Sequence, residues 1–182
     1  IFTQKGDLKS EYKHAEYIIQ RLERDGLFQK YMSGEKQVVM TGEIEGVPFK
    51  TKIDSYHPGK AIVDLKIMKD FDPIWKDGLK LSFVEAWSYD IQAAIYQEIE
   101  RQNSGLQLPF FIAAATKEKP EPDLAIISIP QDRLDYCQVK ENVRHFQDIK
   151  KGLIEPIRCE RCDWCKSTKV LTEIVDYSML DC

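Results

Sequence analysis

The chain has 182 residues, 43% of them hydrophobic and 31% charged, with a formal net charge of −4. That is enough chain for one domain with a real hydrophobic core, and the composition excludes a disordered or fibrous protein. No apolar run approaches the ~20 residues that cross a bilayer, and the acidic balance argues against a protein that holds nucleic acid by electrostatics alone, though not against an enzyme whose carboxylates take up a metal.

In chain order, Asp7 to about Met32 reads as helix, because Leu8, Tyr12, Ala15, Ile18, Ile19 and Leu22 recur at three- and four-residue steps, with Gly26 as a break or bend. Lys36 to about Ile44 turns β-like. Glu45-Gly46 is a turn, and Phe49 to Asp54 alternates as a half-buried strand does. His57-Pro58-Gly59-Lys60 is turn chemistry, and Ala61 to Met68 is a short apolar strand that completes an antiparallel meander. Lys69 to Leu81 reads as irregular. Ser82 to Arg101 is expected as one helix, with Phe83, Trp87, Ile91, Ile95 and Ile99 as its core stripe. Pro109–Thr116 and Asp123–Ile129 read as core strands joined by a Lys/Glu/Pro turn. Gln131 to Lys151 reads as a helix stopped by Gly152 and Pro156. The order is helix, three strands, helix, two strands, helix, which is α+β or mixed α/β. Residues 1–182 are expected to form one domain, with a cysteine-rich loop at 157–172. The chain begins at Ile1 in helix-like sequence, and a preceding N-terminal segment is expected.

The most informative stretch is Lys52-Ile53-Asp54 followed by Ile62-Val63-Asp64-Leu65-Lys66. Asp64 and Lys66 stand two apart on a strand and share one face. Asp54 closes the preceding strand across a short hairpin, so the two carboxylates can approach. Such a pair is costly unless a cation lies between them. Mg²⁺ is hard, takes oxygen ligands and keeps several waters, and the backbone carbonyl of Leu65 could add a ligand. Lys66 would then stand beside a metal-held water or a phosphate. A D-x-K triplet alone is common as a solvated surface pair worth under ~1 kcal/mol. Here the flanking Ile62, Val63, Leu65 and Ile67 predict a buried strand, where unpaired charges need a reason.

The run GEIEGVPFKTKIDSYHPGKAIVDLKIMKDF, followed by YDIQAAIYQE, resembles the PD-(D/E)XK nuclease superfamily, most closely its RecB-like branch similar to phage exodeoxyribonuclease VIII. Asp54 matches the first motif acid, Asp64-Leu65-Lys66 the (D/E)-x-K motif, and Gln92 and Tyr96 the Q-x-x-x-Y helix motif. The resemblance implies a restriction-endonuclease-like core, a central mixed sheet flanked by helices, and Mg²⁺- or Mn²⁺-dependent hydrolysis of DNA, with exonuclease action in phage or prophage recombination. It implies Asp54, Asp64, Lys66, Gln92 and Tyr96 as site residues. Gln92 would hold the lysine or a phosphate, and Tyr96 would contact the DNA backbone. An upstream Glu or His often serves as a further ligand in such proteins. Glu43 is the first choice here and Glu16 the second, with His14 on the same helix as Glu16. A homo-oligomer and a single-strand annealing protein are the further partners implied.

Five cysteines are present, Cys137, Cys159, Cys162, Cys165 and Cys182. An odd count without a secretory signal argues for a reducing cytoplasm rather than a disulfide scaffold. Cys159-x-x-Cys162-x-x-Cys165 has the spacing of a ferredoxin-type run and also suits zinc. Some RecB-like nucleases place a 4Fe–4S cluster on three C-terminal cysteines and one upstream. This chain has no cysteine before Cys137, so a fourth ligand would be Cys137, Cys182 or a residue of a preceding segment. Arg158, Arg161, Lys166, Lys169 and Trp164 surround the run and suit contact with a nucleic-acid strand. The alternative function is therefore a non-catalytic nucleic-acid-binding module built on this loop.

Overall fold

The computed structural model describes residues 1–2, 4–76, 78–172 and 174–179, without the side chain of Glu11. The N-terminal helical stretch is two helices, α1 (Ser10–Glu23) and α2 (Gly26–Tyr31). The break falls at Asp25, whose carboxylate accepts from the Phe28 N–H at 2.8 Å and caps α2, so Gly26 opens the second helix and does not bend the first. Three strands follow, β1 (Glu35–Ile44), β2 (Val47–His57) and β3 (Ala61–Met68). Glu45 and Gly46 both have positive φ, 52° and 73°, the pairing a two-residue hairpin demands. The stretch after β3 is more ordered than its sequence suggests. β4 (Ile74–Lys76) and β5 (Leu79–Leu81) form a small hairpin.

The expected helix from Ser82 to Arg101 is likewise two, α3 (Phe83–Ala86) and α4 (Tyr89–Ser104). Ser82 and Glu85 form a capping box that starts α3. The chain then breaks at Ser88, which lies in the left-handed region at φ 56°, ψ 41°. The core stripe is broken with it, since Trp87 is exposed. β6 (Phe110–Thr116), β7 (Leu124–Ile129), α5 (Tyr136–Lys150, after a short 3-10 turn) and the short α6 (Asp163–Ser167) complete the order.

Five strands form one sheet in the order β1-β2-β3-β6-β7. The β3–β6 pair is parallel and the others are antiparallel. The crossover from β3 to β6 carries α4. The sheet's two faces are covered differently. Ile62, Phe110, Ile112 and Ala114 pack with Ala93, Ala94 and Ile99 of α4, whereas Val63, Leu65, Ala113 and Phe111 pack with Leu22, Phe28 and Tyr31 of α1 and α2. This is the mixed, helix-flanked sheet of a restriction-endonuclease-like fold. The chain divides into two compact units, Ile1–Arg144 and His145–Cys182. Among the described residues no helix is long and apolar enough to cross a membrane.

The start of β1 is seated by a close approach. A Cβ on Gly34 would lie 2.4 Å from the Tyr56 carbonyl oxygen and 2.8 Å from Ser55 Oγ, and the Gly34 N–H donates to Ser55 Oγ at 3.0 Å. Gly34→Ala must push backbone aside and is expected to cost about 1–3 kcal/mol. Gly26→Ala, at a position with nothing within 4 Å of the added carbon, is expected to be neutral or slightly stabilising. Denaturant midpoints of the two variants check both expectations.

Candidate active site

Asp54 and Asp64 stand where two neighbouring strands part. The β2–β3 ladder runs through His57↔Ala61, Tyr56↔Ile62 and Ser55↔Val63 and stops there. The next pair in that register is Asp54 and Asp64. The Leu65 N–H, released from the backbone ladder, donates instead to Asp54 Oδ2 at 2.9 Å. In a strand the N–H and C=O of one residue leave on the same edge, so the Leu65 carbonyl also faces the edge on which Asp54 lies. β2 extends to His57, so Asp54 does not close the strand, contrary to its reading in the sequence. What ends at Asp54 is the pairing with β3. The other Asp54 oxygen accepts from Gln37 Nε2 at 2.7 Å. Gln37 stands opposite on β1 with φ 56°.

Asp64 and Lys66 point to the α4 face of β3. Asp64 is 4% exposed, and its Oδ1 accepts from Gln92 Nε2 at 2.9 Å. Lys66 Nζ donates to Gln92 Oε1 at 2.9 Å, so one amide holds both members of the D-x-K triplet. The ammonium also sits 4.4 Å from the centre of the Tyr89 ring, a cation–π contact. Burial pushes the Asp64 carboxyl above its ordinary value, the Lys66 ammonium draws it back, and the Asp54 charge raises it again.

The other Asp64 oxygen, Oδ2, is ion-paired with Lys66 Nζ at 2.7 Å. The buried Asp64 carboxylate, a second acid one register step away and a carbonyl on the same edge make a hard, all-oxygen donor set. That set fits a divalent cation of the Mg²⁺ or Mn²⁺ kind.

Not every candidate from the sequence is brought there. Glu43 pairs with Pro48 near the β1–β2 turn, six residues along β2 from Asp54 and so roughly 20 Å away at ~3.3 Å per residue. Its side chain is exposed, and its backbone is clamped by Gln102, which accepts from the Glu43 N–H at 2.9 Å and donates to its carbonyl at 2.8 Å. Glu16 is exposed on α1, which covers the opposite face of the sheet. His14, on the same helix, has its Nε2 2.9 Å from the Lys117 carbonyl. Hairpin register thus removes Glu43 from the acid pair, while Glu16 and His14 stand on the helix that packs on the other face of the sheet. Tyr96 is near the site, but its hydroxyl donates to the Lys52 carbonyl at 3.3 Å and its ring meets Phe110 edge-on, so it braces α4 against the sheet.

Three residues not singled out in the sequence take part. Tyr89 lies three positions before Gln92 and so on the same helical face, a spacing that could have drawn attention to it. Glu100 lies one turn beyond Tyr96 on that face. It is fully buried, accepts from Tyr56 Oη at 2.8 Å through Oε1, and its Oε2 accepts no hydrogen bond. Burial, with the Glu100 carboxylate beside it, pushes the Tyr56 phenol up to about 12. Gln37 carries no local signal at all, because only the register places it opposite Asp54.

The cysteine unit stands by itself. The Sγ atoms of Cys159, Cys162 and Cys165 lie within 4.8 Å of one another, and Cys159 and Cys165 are 3.8 Å apart. Backbone N–H groups of Cys162 and Cys165 donate to the sulfurs of Cys159 and Cys162 at 3.3 and 3.4 Å. Backbone N–H donors to sulfur lower the Cys159 thiol to about 6, whereas burial raises that of Cys165. Arg158 brackets the loop. It donates to Glu160, Thr168 and the Cys165 carbonyl and lies 5.2 Å from the Trp164 ring. Cys137 is exposed on α5 in the other unit, and Cys182 lies outside the described residues.

If the acid pair takes up a divalent ion, binding must appear as stability. At a hundred times the dissociation constant the gain is about 2.7 kcal/mol, or roughly 5–10 °C in Tm for a domain of this size. Thermal melts with Mg²⁺ or Mn²⁺ against EDTA are expected to show that rise in the wild type and to lose most of it in Asp64→Asn.

The family described as "PDDEXK-like domain of unknown function (DUF3799)" matches residues 1–168. The crystal structure of a protein from Eubacterium rectale described as "Putative exonuclease" is 53% identical, with a TM-score of 0.83 over 97% of this chain and 67% of that one. A second solved structure, that of SSO0001, matches at 18% identity and a TM-score of 0.40 over 86% of this chain and 74% of the other. No curated protein matches. With a family match over nearly all of its length and a close structural relative, the chain belongs to the PDDEXK-like DUF3799 family, within the PD-(D/E)XK superfamily.

Proposed function

We propose that this chain is a metal-dependent nuclease that hydrolyses phosphodiester bonds in DNA. The observation that carries the reading is the arrangement around Asp64. The buried Asp64 carboxylate stands beside the place where β2 and β3 part, with Asp54 one register step away and Lys66 ion-paired to its Oδ2 at 2.7 Å. Asp54, Asp64 and the Leu65 carbonyl would hold Mg²⁺ or Mn²⁺. Once bound, the ion supplies positive charge to the phosphate and lowers the pKa of a water. Lys66 has the remaining work of the chain. Its ammonium, steadied by Gln92 and flanked by the Tyr89 ring, stabilises the negative charge that builds on the phosphate as water attacks. Gln92 positions Lys66 and Asp64 relative to each other, and Tyr96 keeps α4 seated.

Exonuclease action is the favoured mode, because the Eubacterium rectale relative is described as such at 53% identity. A place in phage-type recombination, a homo-oligomeric state and a single-strand annealing partner belong to this reading through the motif resemblance to exodeoxyribonuclease VIII. The free thiols suit a reducing cytoplasm.

The cysteine unit belongs to the same domain in this reading, since the family match runs through it to residue 168. Its three sulfurs would hold one metal ion. Zn–S bonds of about 2.3 Å place tetrahedral sulfurs roughly 3.8 Å apart, which is the Cys159–Cys165 separation. With all three sulfurs within 4.8 Å of one another, the group is tighter than the cysteines of a 4Fe–4S cluster, which bind separate irons and stand further apart, and zinc is the favoured ion. Elemental analysis of the purified protein is expected to find close to one zinc per chain, lost in Cys162→Ser. Iron and inorganic sulfide instead would overturn the choice of metal.

The test of the activity is degradation of end-labelled linear duplex DNA with Mg²⁺, with Mn²⁺ and with EDTA. Cutting is expected only with metal. Lys66→Ala is expected to lose about 10²–10³-fold in rate while keeping the metal-induced rise in Tm. Intact DNA together with a metal-independent gel shift would sink the enzyme reading and favour a binding module.

A further inference from the structure

The break between α3 and α4 falls between two aromatic residues, Trp87 and Tyr89, that line one groove. Ser88 pays for it with a left-handed backbone at φ 56°, a conformation uncommon for a residue with a side chain and most often kept where it is used. On one side Tyr89 turns in over the Lys66 ammonium. On the other Trp87 turns out and is 61% exposed, although its place in the apolar stripe predicts a core residue. A groove of about 730 Å³ lies here. Ile67 and Met68, at the C-terminal end of β3, line it together with Phe83 and Trp87. Tyr89 lines it as well, so a single ring is shared between the groove and the candidate active site.

The charges along the groove nearly cancel. Lys69 and Lys117 are present with Asp70 and Asp72, and Lys69 is paired with Asp70 at 2.9 Å. A polyanion gains little there from charge alone. What the groove offers is aromatic and apolar surface. Within a duplex the bases are already stacked on both faces, with an open face only at its end, so an unpaired strand makes the fullest use of an exposed indole.

We infer that this groove receives a single strand of DNA, with an unpaired base stacked on Trp87 and the strand running on past Tyr89 to Lys66. The substrate of the site is then an unpaired end or a single strand, not the body of a duplex. The path to Lys66 rests on the nuclease reading; the stacking needs neither metal nor cleavage.

The test uses the full chain in EDTA, with fluorescence anisotropy of a labelled oligo(dT) and of a blunt hairpin duplex. The single strand is expected to bind about tenfold or more tightly than the duplex, and Trp87→Ala to weaken it about tenfold or more, with Trp87→Phe keeping most of the affinity. Trp75, on β4, alternates with the groove-lining Ile74, and Trp75→Ala is expected to bind as the wild type does. Unchanged single-strand binding in a normally folded Trp87→Ala protein overturns the inference, and so does equal binding of duplex. Cleavage assays with Mg²⁺ separate the two readings. A wild type that does not cut but binds through Trp87 removes the nuclease and leaves the groove. A wild type that cuts, with an unchanged KM for single strands in Trp87→Ala, removes the groove and leaves the nuclease.

Discussion

The bond from the Leu65 N–H to the Asp54 carboxylate is where a backbone ladder passes to a side chain, and the site is arranged around it. A strand amide inside a sheet must find an acceptor. By the time the chain reaches Leu65, β2 has drawn away and its backbone is out of reach. A carboxylate takes over the role, which holds the two strands apart by the length of a side chain and leaves the Leu65 carbonyl on the same edge. Asp64, one register step along, is then buried beside that opening. The backbone positions of Asp54, Asp64 and Leu65 are thus set by the sheet, and Gln37 and Gln92 hold the two carboxylates.

The second constraint is the seat of α4 on the sheet. Gln92, Tyr96 and Glu100 follow one another at four-residue steps down one face of the helix, and each makes a polar bond to the sheet: to Asp64 and Lys66, to the Lys52 carbonyl, and to Tyr56. Tyr56 and Asp54 are two apart on β2, so the Tyr56–Glu100 bond fixes the same strand that supplies the first acid. Buried polar bonds of this kind contribute less to stability than to the choice of one arrangement, because any shift of α4 would strand several donors and acceptors at once.

Much of this was legible in the chain. The β3 strand was readable from Ala61 to Met68 because a dense apolar run between turn residues leaves little else for it to be, and the D-x-K spacing then put Asp64 and Lys66 on one face. Gln92 was singled out by the motif resemblance as a group to hold the lysine or a phosphate, and its bond to Asp64 as well was not foreseen. The failures have physical causes. The stripe through Trp87 was continuous in spacing, so nothing local announced that Ser88 would adopt a left-handed turn. Glu43 was chosen by chemistry, but distance along a hairpin is a tertiary property. Gln37 was invisible because its partner lies seventeen positions away and is chosen by register alone.

The segment from His145 onward has a different basis for its order. Among its described residues Cys165 is the buried one, while Leu153, Ile157, Val170, Leu171, Ile174 and Tyr177 are all well exposed. Its architecture is therefore that of a clasp and not of a miniature globule: three thiols and the Arg158 bracket define its shape, and a change in their oxidation state would be felt as the loss of a tertiary structure, not as the loss of a single contact.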